Sequence, residues 1–212
     1  MTQIVHIVDD DGAVRDALAA LLEVSGFTVE TFDSALAFMH HCPPERAGCV
    51  VADLRMPGMD GATLQREMAA RGYGMPIILI SAHGDVATAV GALRNGAVDF
   101  LEKPFDDGVF LRRIEEALRR DARQREERAA AGRASTLLDQ LSARERDVAA
   151  LMIEGCANKI IAARLGISVR TVETHRARLL EKLGIRTVPE LMRLWLLAER
   201  PAAGDDAPPY SS

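Results

Sequence analysis

Five short apolar runs constrain the first 120 residues most strongly. They lie at 4–8, 27–32, 48–52, 76–80 and 98–101, and stretches of helical periodicity separate them. Runs this short, bounded by turn residues, suit strands buried on both faces. The helical patterns fall near 12–25, 34–41, 61–71 and 85–95, and a fifth runs from about 106 past 118. This alternation predicts an α/β doubly wound, five-stranded parallel sheet. Ligands of such sheets bind outside the carboxyl ends of the strands.

Those ends carry the chemistry. Asp9, Asp10 and Asp11 follow the first run, Asp53 closes the third, Ser81 follows the fourth and Lys103 follows the fifth. Alone, each has a bland reading: a helix N-cap for Asp11, a surface charge for Lys103, a turn cap for Ser81. Converging at one sheet edge, they suggest a carboxylate, Asp53, that becomes phosphorylated with the help of Mg²⁺. A carboxylate can attack phosphorus if the developing charge is neutralised. Mg²⁺ favours hard oxygens and keeps waters beside one or two carboxylates. Asp10 and Asp53 are the expected direct ligands, with Asp9 acting through water. Lys103 is expected to pair with a phosphoryl oxygen, and the Ser81 hydroxyl to donate to another.

Bulk properties narrow the setting. The 212 residues, 48% of them hydrophobic, suffice for one good core and a second small one. No apolar stretch approaches the ~20 residues of a membrane helix. The first residues also lack a basic-then-apolar signal pattern, so a cytoplasmic protein is expected. Cys42, Cys49 and Cys156 lack metal-type spacing and read as reduced structural thiols. Residues 1–121 carry 11 Lys/Arg against 19 Asp/Glu, the remainder 15 against 12. An acidic front and a mildly basic back fit a cation-binding module joined to an anion-binding one.

The division expected is 1–120 for the sheet domain, 121–137 for a helical or flexible linker fraying at Gly132, 138–200 for a small all-α domain, and 201–212 for a disordered tail. In the all-α part, Ser142 and Glu145 form a capping box for a helix to about Glu154. A short helix runs from Asn158 to Leu165, Gly166 makes the turn, and Ser168 caps a longer helix to Leu183. A last helix spans about 188–199. Short helix, tight turn and longer helix make a helix-turn-helix. At 100° per residue, Val172, Leu179, Leu180 and Leu183 share the core face of the longer helix, and Glu173, Thr174, Ala177 and Glu181 lie opposite. That outer face is expected in the major groove: Glu173 accepting from a cytosine amino group, Thr174 or Ala177 touching a thymine methyl. Arg170, Arg178, Lys159 and Lys182 are assigned to phosphates. Arg176 falls among the core leucines and needs a partner, for which Glu145 is the candidate. His175 is expected to be a hydrogen-bonded histidine at the core edge.

Val8-Asp9-Asp10-Asp11, Asp53-Leu54-Arg55-Met56-Pro57, Ser81-Ala82-His83-Gly84 and Lys103-Pro104-Phe105 resemble the receiver domain of bacterial two-component response regulators over about residues 3–120. Leu141–Arg146, Asn158-Lys159 and Ser168–Arg176 resemble the LuxR-type helix-turn-helix over about 138–200. The whole is similar to regulators of the FixJ and NarL type, nearer the FixJ group by Ala82-His83-Gly84-Asp85 and Gly96–Phe100.

The resemblance implies phosphoryl transfer from a sensor histidine kinase to Asp53. It places Asp9, Asp10, Asp53 and the backbone carbonyl of Arg55 around Mg²⁺, and makes Ser81 and Phe100 a switch pair. It implies a cis Lys103-Pro104 peptide. Asn158 and Thr171 join the candidate DNA contacts, and the implied partners are promoter DNA with an inverted repeat, RNA polymerase and a second copy of the chain. Such a protein is not a dedicated enzyme. An Asp-nucleophile phosphohydrolase is the alternative from another class, but it usually needs a second carboxylate two residues after the nucleophile, where this chain has Arg55. A receiver whose helical domain no longer binds DNA is a third reading; Arg170, Arg178 and Lys182 count against it.

Overall fold

The structure is a computed structural model that describes residues 3–82 and 99–199. The expected helix at 85–95, the His83-Gly84 and Gly96–Val98 segments and the tail from residue 201 lie outside the described residues. Two compact units divide between Arg125 and Glu126, and each is considered by itself.

In the first unit, strands β1 (Ile4–Val8), β2 (Thr28–Phe32), β3 (Gly48–Asp53), β4 (Ile77–Ser81) and β5 (Asp99–Glu102) form one parallel sheet in the order β2-β1-β3-β4-β5. Helices α1 (Gly12–Val24), α2 (Ala35–His41) and α3 (Gly61–Ala70) are the described helices between strands. Helix α4 (Asp107–Leu138) follows β5. Strand order reverses between β1 and β3, and that crevice is where a ligand has room to enter.

Alternation along the strands builds a core on each face. Val8, Val50, Ala52 and Leu79 pack with Phe38, Leu64 and Met68 of α2 and α3. Val5, Ile7, Val51, Ile78 and Ile80 pack with Leu18 and Leu22 of α1 and with Phe110 and Ile114 of α4. Every residue of β3 is buried, as expected for a central strand covered on both sides. Gly48 starts it at φ 146°, where a Cβ would lie 1.9 Å from the carbonyl oxygen of Ile4, so only glycine lets β1 and β3 close.

Helix α4 departs from expectation. It continues through Gly132 to Leu138 instead of fraying. A mid-helix glycine costs roughly 0.5–1 kcal/mol. Here the last turns are held by packing, because Ala134 and Leu138 are buried and Leu138 belongs to the core of the second unit. The start of the expected linker, 121–125, is tied to the first unit. Asp121 is buried; it accepts from the Gly48 backbone N–H at 3.0 Å and from Arg125 Nε at 2.8 and 2.9 Å. Arg125 also donates to the carbonyls of Glu45 and Arg46.

The second unit is helical: the end of α4, then α5 (Ala143–Ile153), α6 (Asn158–Leu165), α7 (Val169–Leu183) and α8 (Val188–Glu199). The Ser142/Glu145 capping box is formed in both directions, and Gly166 (φ 65°) and Gly184 (φ 64°) end α6 and α7 in the left-handed conformation. The core contains Leu138, Val148, Met152, Ile161, Val172, Leu179, Leu183 and Leu191. Cys42, Cys49 and Cys156 are free thiols.

Candidate functional site

The edge where β1, β3, β4 and β5 end gathers the predicted phosphate-site residues that lie in those strands or just beyond them. Asp9 is 2% exposed; its Oδ1 accepts from the Asp11 backbone N–H at 2.9 Å and its Oδ2 from Lys103 Nζ at 3.0 Å. Asp53 is 9% exposed; its Oδ1 accepts from the same Nζ at 2.9 Å and its Oδ2 from the Arg55 backbone N–H at 2.7 Å. One ammonium therefore bridges two nearly buried carboxylates. Burial alone would lower the Lys103 pKa. The hydrogen bonds to Asp53 and Asp9 outweigh it, so the net shift is upward and the lysine stays charged.

Local sequence explains how each group arrives. The chain turns at the end of β1 so that Asp9 faces inward while Asp10 is exposed and Asp11 caps α1 by accepting from Ala13 and Val14. Lys103 follows β5 with its backbone N–H on the Ser81 carbonyl at 2.7 Å, and the Lys103-Pro104 peptide is cis. An open depression beside Asp53 is lined by Asp10, Leu54, Arg55, Met56, Pro57, Asp60 and Ala62.

Among the described residues, no three or more His, Cys, Asp and Glu side chains form a ready metal cage. The donors nevertheless fit Mg²⁺ in kind. They are hard oxygens, two of them carboxylates pulled together by Lys103, and Mg²⁺ needs few protein ligands beside its waters.

Ser81 is buried at the last position of β4. Phe100, half-buried in β5, pairs in register with Leu79. Strand alternation therefore puts Ser81 and Phe100 on the same face as diagonal neighbours, within reach of a large ring.

Two further contributors lie outside the predicted site residues. Arg15 Nη1 donates to the Asp9 carbonyl at 2.7 Å and braces the turn after β1. Gly61 opens α3 against the end of β3, where a Cβ would meet the Asp53 carbonyl oxygen at 2.5 Å. The four-residue spacing from Asp11 to Arg15 does not reveal the first. A glycine right after the N-cap Asp60 was a legible hint of the second.

In the second unit, α7 presents Arg170, Glu173, Thr174, Ala177, Arg178 and Glu181 to solvent, while Val172, Leu179 and Leu183 are buried and Leu180 is partly so. Lys159 is exposed on α6. Arg170, Arg178 and Lys159 have no side-chain partner among the described residues. Thr171 shares a hydrogen bond between its Oγ1 and Ser168 Oγ, and Thr174 Oγ1 donates to the Arg170 carbonyl.

Two assignments are corrected. Glu145 is not the partner of Arg176; it accepts from Lys182 Nζ at 2.6 Å. Lys182, expected at a phosphate, holds this ion pair while its side chain stays 41% exposed. Arg176 instead donates from Nη1 to Asn158 Oδ1 at 2.8 Å, which gives Asn158 a task inside the domain. A helical wheel gives direction but not which neighbour packs against which turn. His175 Nδ1 is buried and takes no hydrogen bond among the described residues, against expectation.

Residues 5–115 match the response regulator receiver domain family, and residues 139–195 match the bacterial regulatory proteins of the luxR family. The chain is 46% identical to the transcriptional regulatory protein FixJ of Azorhizobium caulinodans, over 97% of each. The chain belongs to the response-regulator family. A second FixJ, from Bradyrhizobium diazoefficiens, is 43% identical over 92% of this chain and 95% of its own length. Among solved structures, the response regulator StyR matches with a TM-score of 0.84 at 42% identity, covering 92% of this chain and 99% of that one. Full-length FixJ from B. japonicum matches at 42% identity with a TM-score of 0.58, covering 93% and 98%. This response regulator is accordingly a two-component transcription regulator controlled by phosphorylation, with a DNA-binding unit of LuxR type. Its receiver implies a sensor kinase as partner, and receivers of this family generally bind Mg²⁺ at the phosphorylation site. No described helix is long and apolar enough to cross a membrane.

Proposed function

We propose that Asp53 is the phosphoacceptor and that its modification sets the pairing of two DNA-binding units. The observation that carries this is the bridging of Asp9 and Asp53 by Lys103 Nζ at 3.0 and 2.9 Å. An Asp53 carboxylate oxygen attacks the phosphorus of a phosphohistidine in the kinase. A P–O bond forms, the P–N bond breaks, and the imidazole nitrogen leaves with its electron pair. Lys103 is already in contact with Asp53 and can follow the charge onto a phosphoryl oxygen, which needs little rearrangement. Asp9, Asp10, Asp53 and the Arg55 carbonyl would hold Mg²⁺, whose chemistry here is neutralisation of the transferring group.

Phosphorylation adds charge and acceptor oxygens at Asp53. Ser81 then turns its hydroxyl to the phosphoryl group, and Phe100, its diagonal neighbour, moves into the space released. The altered β4–β5 face pairs with a second copy. Two helical units then engage an inverted repeat in promoter DNA, where the complex meets RNA polymerase in the cytoplasm. Glu173, Thr174 and Ala177 read base edges, and Arg170, Arg178 and Lys159 bind phosphates. Asn158 and Thr171 border that surface; Asn158 keeps its amide N–H groups for DNA because only Oδ1 is used by Arg176.

The test is labelling by a small phosphodonor with Mg²⁺. Wild type should take up one phosphoryl group and Asp53→Asn none; undiminished labelling of the variant would remove Asp53 from the role. Phosphorylated wild type should also sediment as a dimer and protect two symmetric half-sites, whereas monomeric binding to one half-site would leave the acceptor assignment intact and reject the dimer.

A further inference from the structure

Two cations of α7 point back into their own domain, and their placement has a common geometry. Relative to the centre of the buried Val172/Leu179/Leu183 face, Arg176 lies roughly 40° to one side and Lys182 roughly 80° to the other, at about 100° per residue. They are six residues apart, about 9 Å along the axis. Arg176 reaches forward to Asn158 at the start of α6, and Lys182 reaches Glu145 in the first turn of α5. Each flank of the core ridge thus has its own polar strut, tied to a different helix.

The Lys182 end is the more demanding. Glu145 is 4% exposed, and its Oε2 already accepts from the Ser142 backbone N–H at 2.9 Å. The lysine also lies 3.5 Å from the Gln140 carbonyl oxygen. A nearly buried carboxylate cannot lose its cation cheaply, because the charge would remain without a partner. Both struts resist rotation of α7 about its axis. With side-chain tips about 5 Å from the axis, a 20° turn displaces them by about 2 Å, more than a hydrogen bond tolerates.

We propose that Lys182 and Glu145 are positioning residues for base recognition: through this pair, seconded by Arg176–Asn158, the domain fixes the rotational setting at which Glu173, Thr174 and Ala177 meet DNA. The proposal rests on the reading of α7 as the recognition helix. Neither member of the pair contacts DNA, so Lys182 releases no counterion from it. This separates the pair from Arg178, a cation of the same helix with no side-chain partner among the described residues.

The test uses the full-length chain, phosphorylated, and a duplex selected by wild type from a random pool, alongside a scrambled duplex. Wild type, Lys182→Met, Glu145→Gln and the double variant are compared by anisotropy titration over a salt series, at a temperature where circular dichroism shows all four folded. The expected result is that each single variant lowers the ratio of selected to scrambled affinity by about tenfold. The slope of log Kobs against log salt stays at the wild-type value, and the double variant is no worse than either single one. A purely structural pair would change melting and leave selectivity alone, and that result overturns the proposal. So does a Lys182→Met slope lower by about 0.9 with selectivity kept, the signature of a phosphate contact. If Lys182→Met proves too unstable, Glu145→Gln decides alone, since it changes a buried group and leaves every surface cation in place; unchanged selectivity then sinks the idea. Failure of wild type to select any duplex would instead reject the DNA-reading role of α7, while non-additive melting of the pair would show the strut itself intact.

Discussion

Lys103 of the receiver gathers two carboxylates at the open end of a sheet, whereas Lys182 of the helical unit is folded back onto one carboxylate behind a helix. The residue type and the bond type are the same, yet the consequences differ. Lys103 holds Asp53, and the residues that follow Asp53, Leu54 and Arg55, line an open depression where a new anion can arrive. Lys182 meets a carboxylate that is only 4% exposed, and the role proposed for its charge is geometric. Both lysines keep part of their surface in solvent, so the proposed contrast rests on the open depression next to the Asp53 loop.

The largest test of this contrast is at the phosphate site. Asp53→Asn should abolish labelling by a small phosphodonor. Lys103→Met should keep Asp53 but slow labelling by about 100-fold, as loss of a preorganised charge does at other sites. A Lys103→Met rate equal to wild type would mean that the bridge is static scaffolding, and the contrast with Lys182 would collapse.

Gly61→Ala should come next. The new Cβ must displace either the Asp53 carbonyl or the start of α3, at about 1–3 kcal/mol. Chemical denaturation should show the loss together with slower labelling; normal labelling at reduced stability would indicate that α3 and not Asp53 gives way.

Acid should then distinguish the units. Burial first, and the nearby Arg46 guanidinium second, lower the His6 pKa to about 4 from the usual 6.5, although Glu30 lies 3.4 Å from its Nδ1. The unfolded chain takes up that proton below pH 6.5 and the folded receiver refuses it until about pH 4, so stability falls across that window. The Lys182 hydrogen bond first, and the Ser142 backbone N–H second, hold Glu145 near 2 instead of 4.5. Its stabilisation is complete above pH 4.5 and is lost as pH falls toward 2. Trp195, the single tryptophan, reports the helical unit by fluorescence, and hydrogen exchange of β1 reports the receiver. The receiver should weaken first on acidification; the reverse order would contradict the two carboxylate and imidazole environments described.

The smallest effect is expected from Arg178→Ala. Binding should weaken on all duplexes alike, and the salt slope should drop by about 0.9. Loss of selectivity with an unchanged slope would move Arg178 into the class assigned to Lys182.

The receiver was the more legible half. Its site residues end strands, and period-two burial with a fixed sheet order carries strand ends to one edge regardless of detail. Asp9, Asp53, Ser81 and Lys103 needed no knowledge of side-chain reach. In the helical unit, the capping box at Ser142 and the turn at Gly166 were equally readable because they are local. The partners of Arg176 and Lys182 were not, since they depend on which turn of α5 or α6 lies beside which turn of α7. The contacts of 121–125 are not readable in sequence for a related reason. The charges there look solvated in sequence, and only the tertiary fold supplies the Gly48 N–H and the Glu45 and Arg46 carbonyls that employ Asp121 and Arg125.

That last contact bears on where the chain can be divided. The match to the receiver family stops at residue 115, but a fragment ending there would strip the acceptor from the Gly48 N–H at the root of the strand that ends in Asp53. A fragment that runs through Arg125 keeps that acceptor, and shorter pieces are expected to begin unravelling from the foot of their central strand, far from Asp53 at its other end.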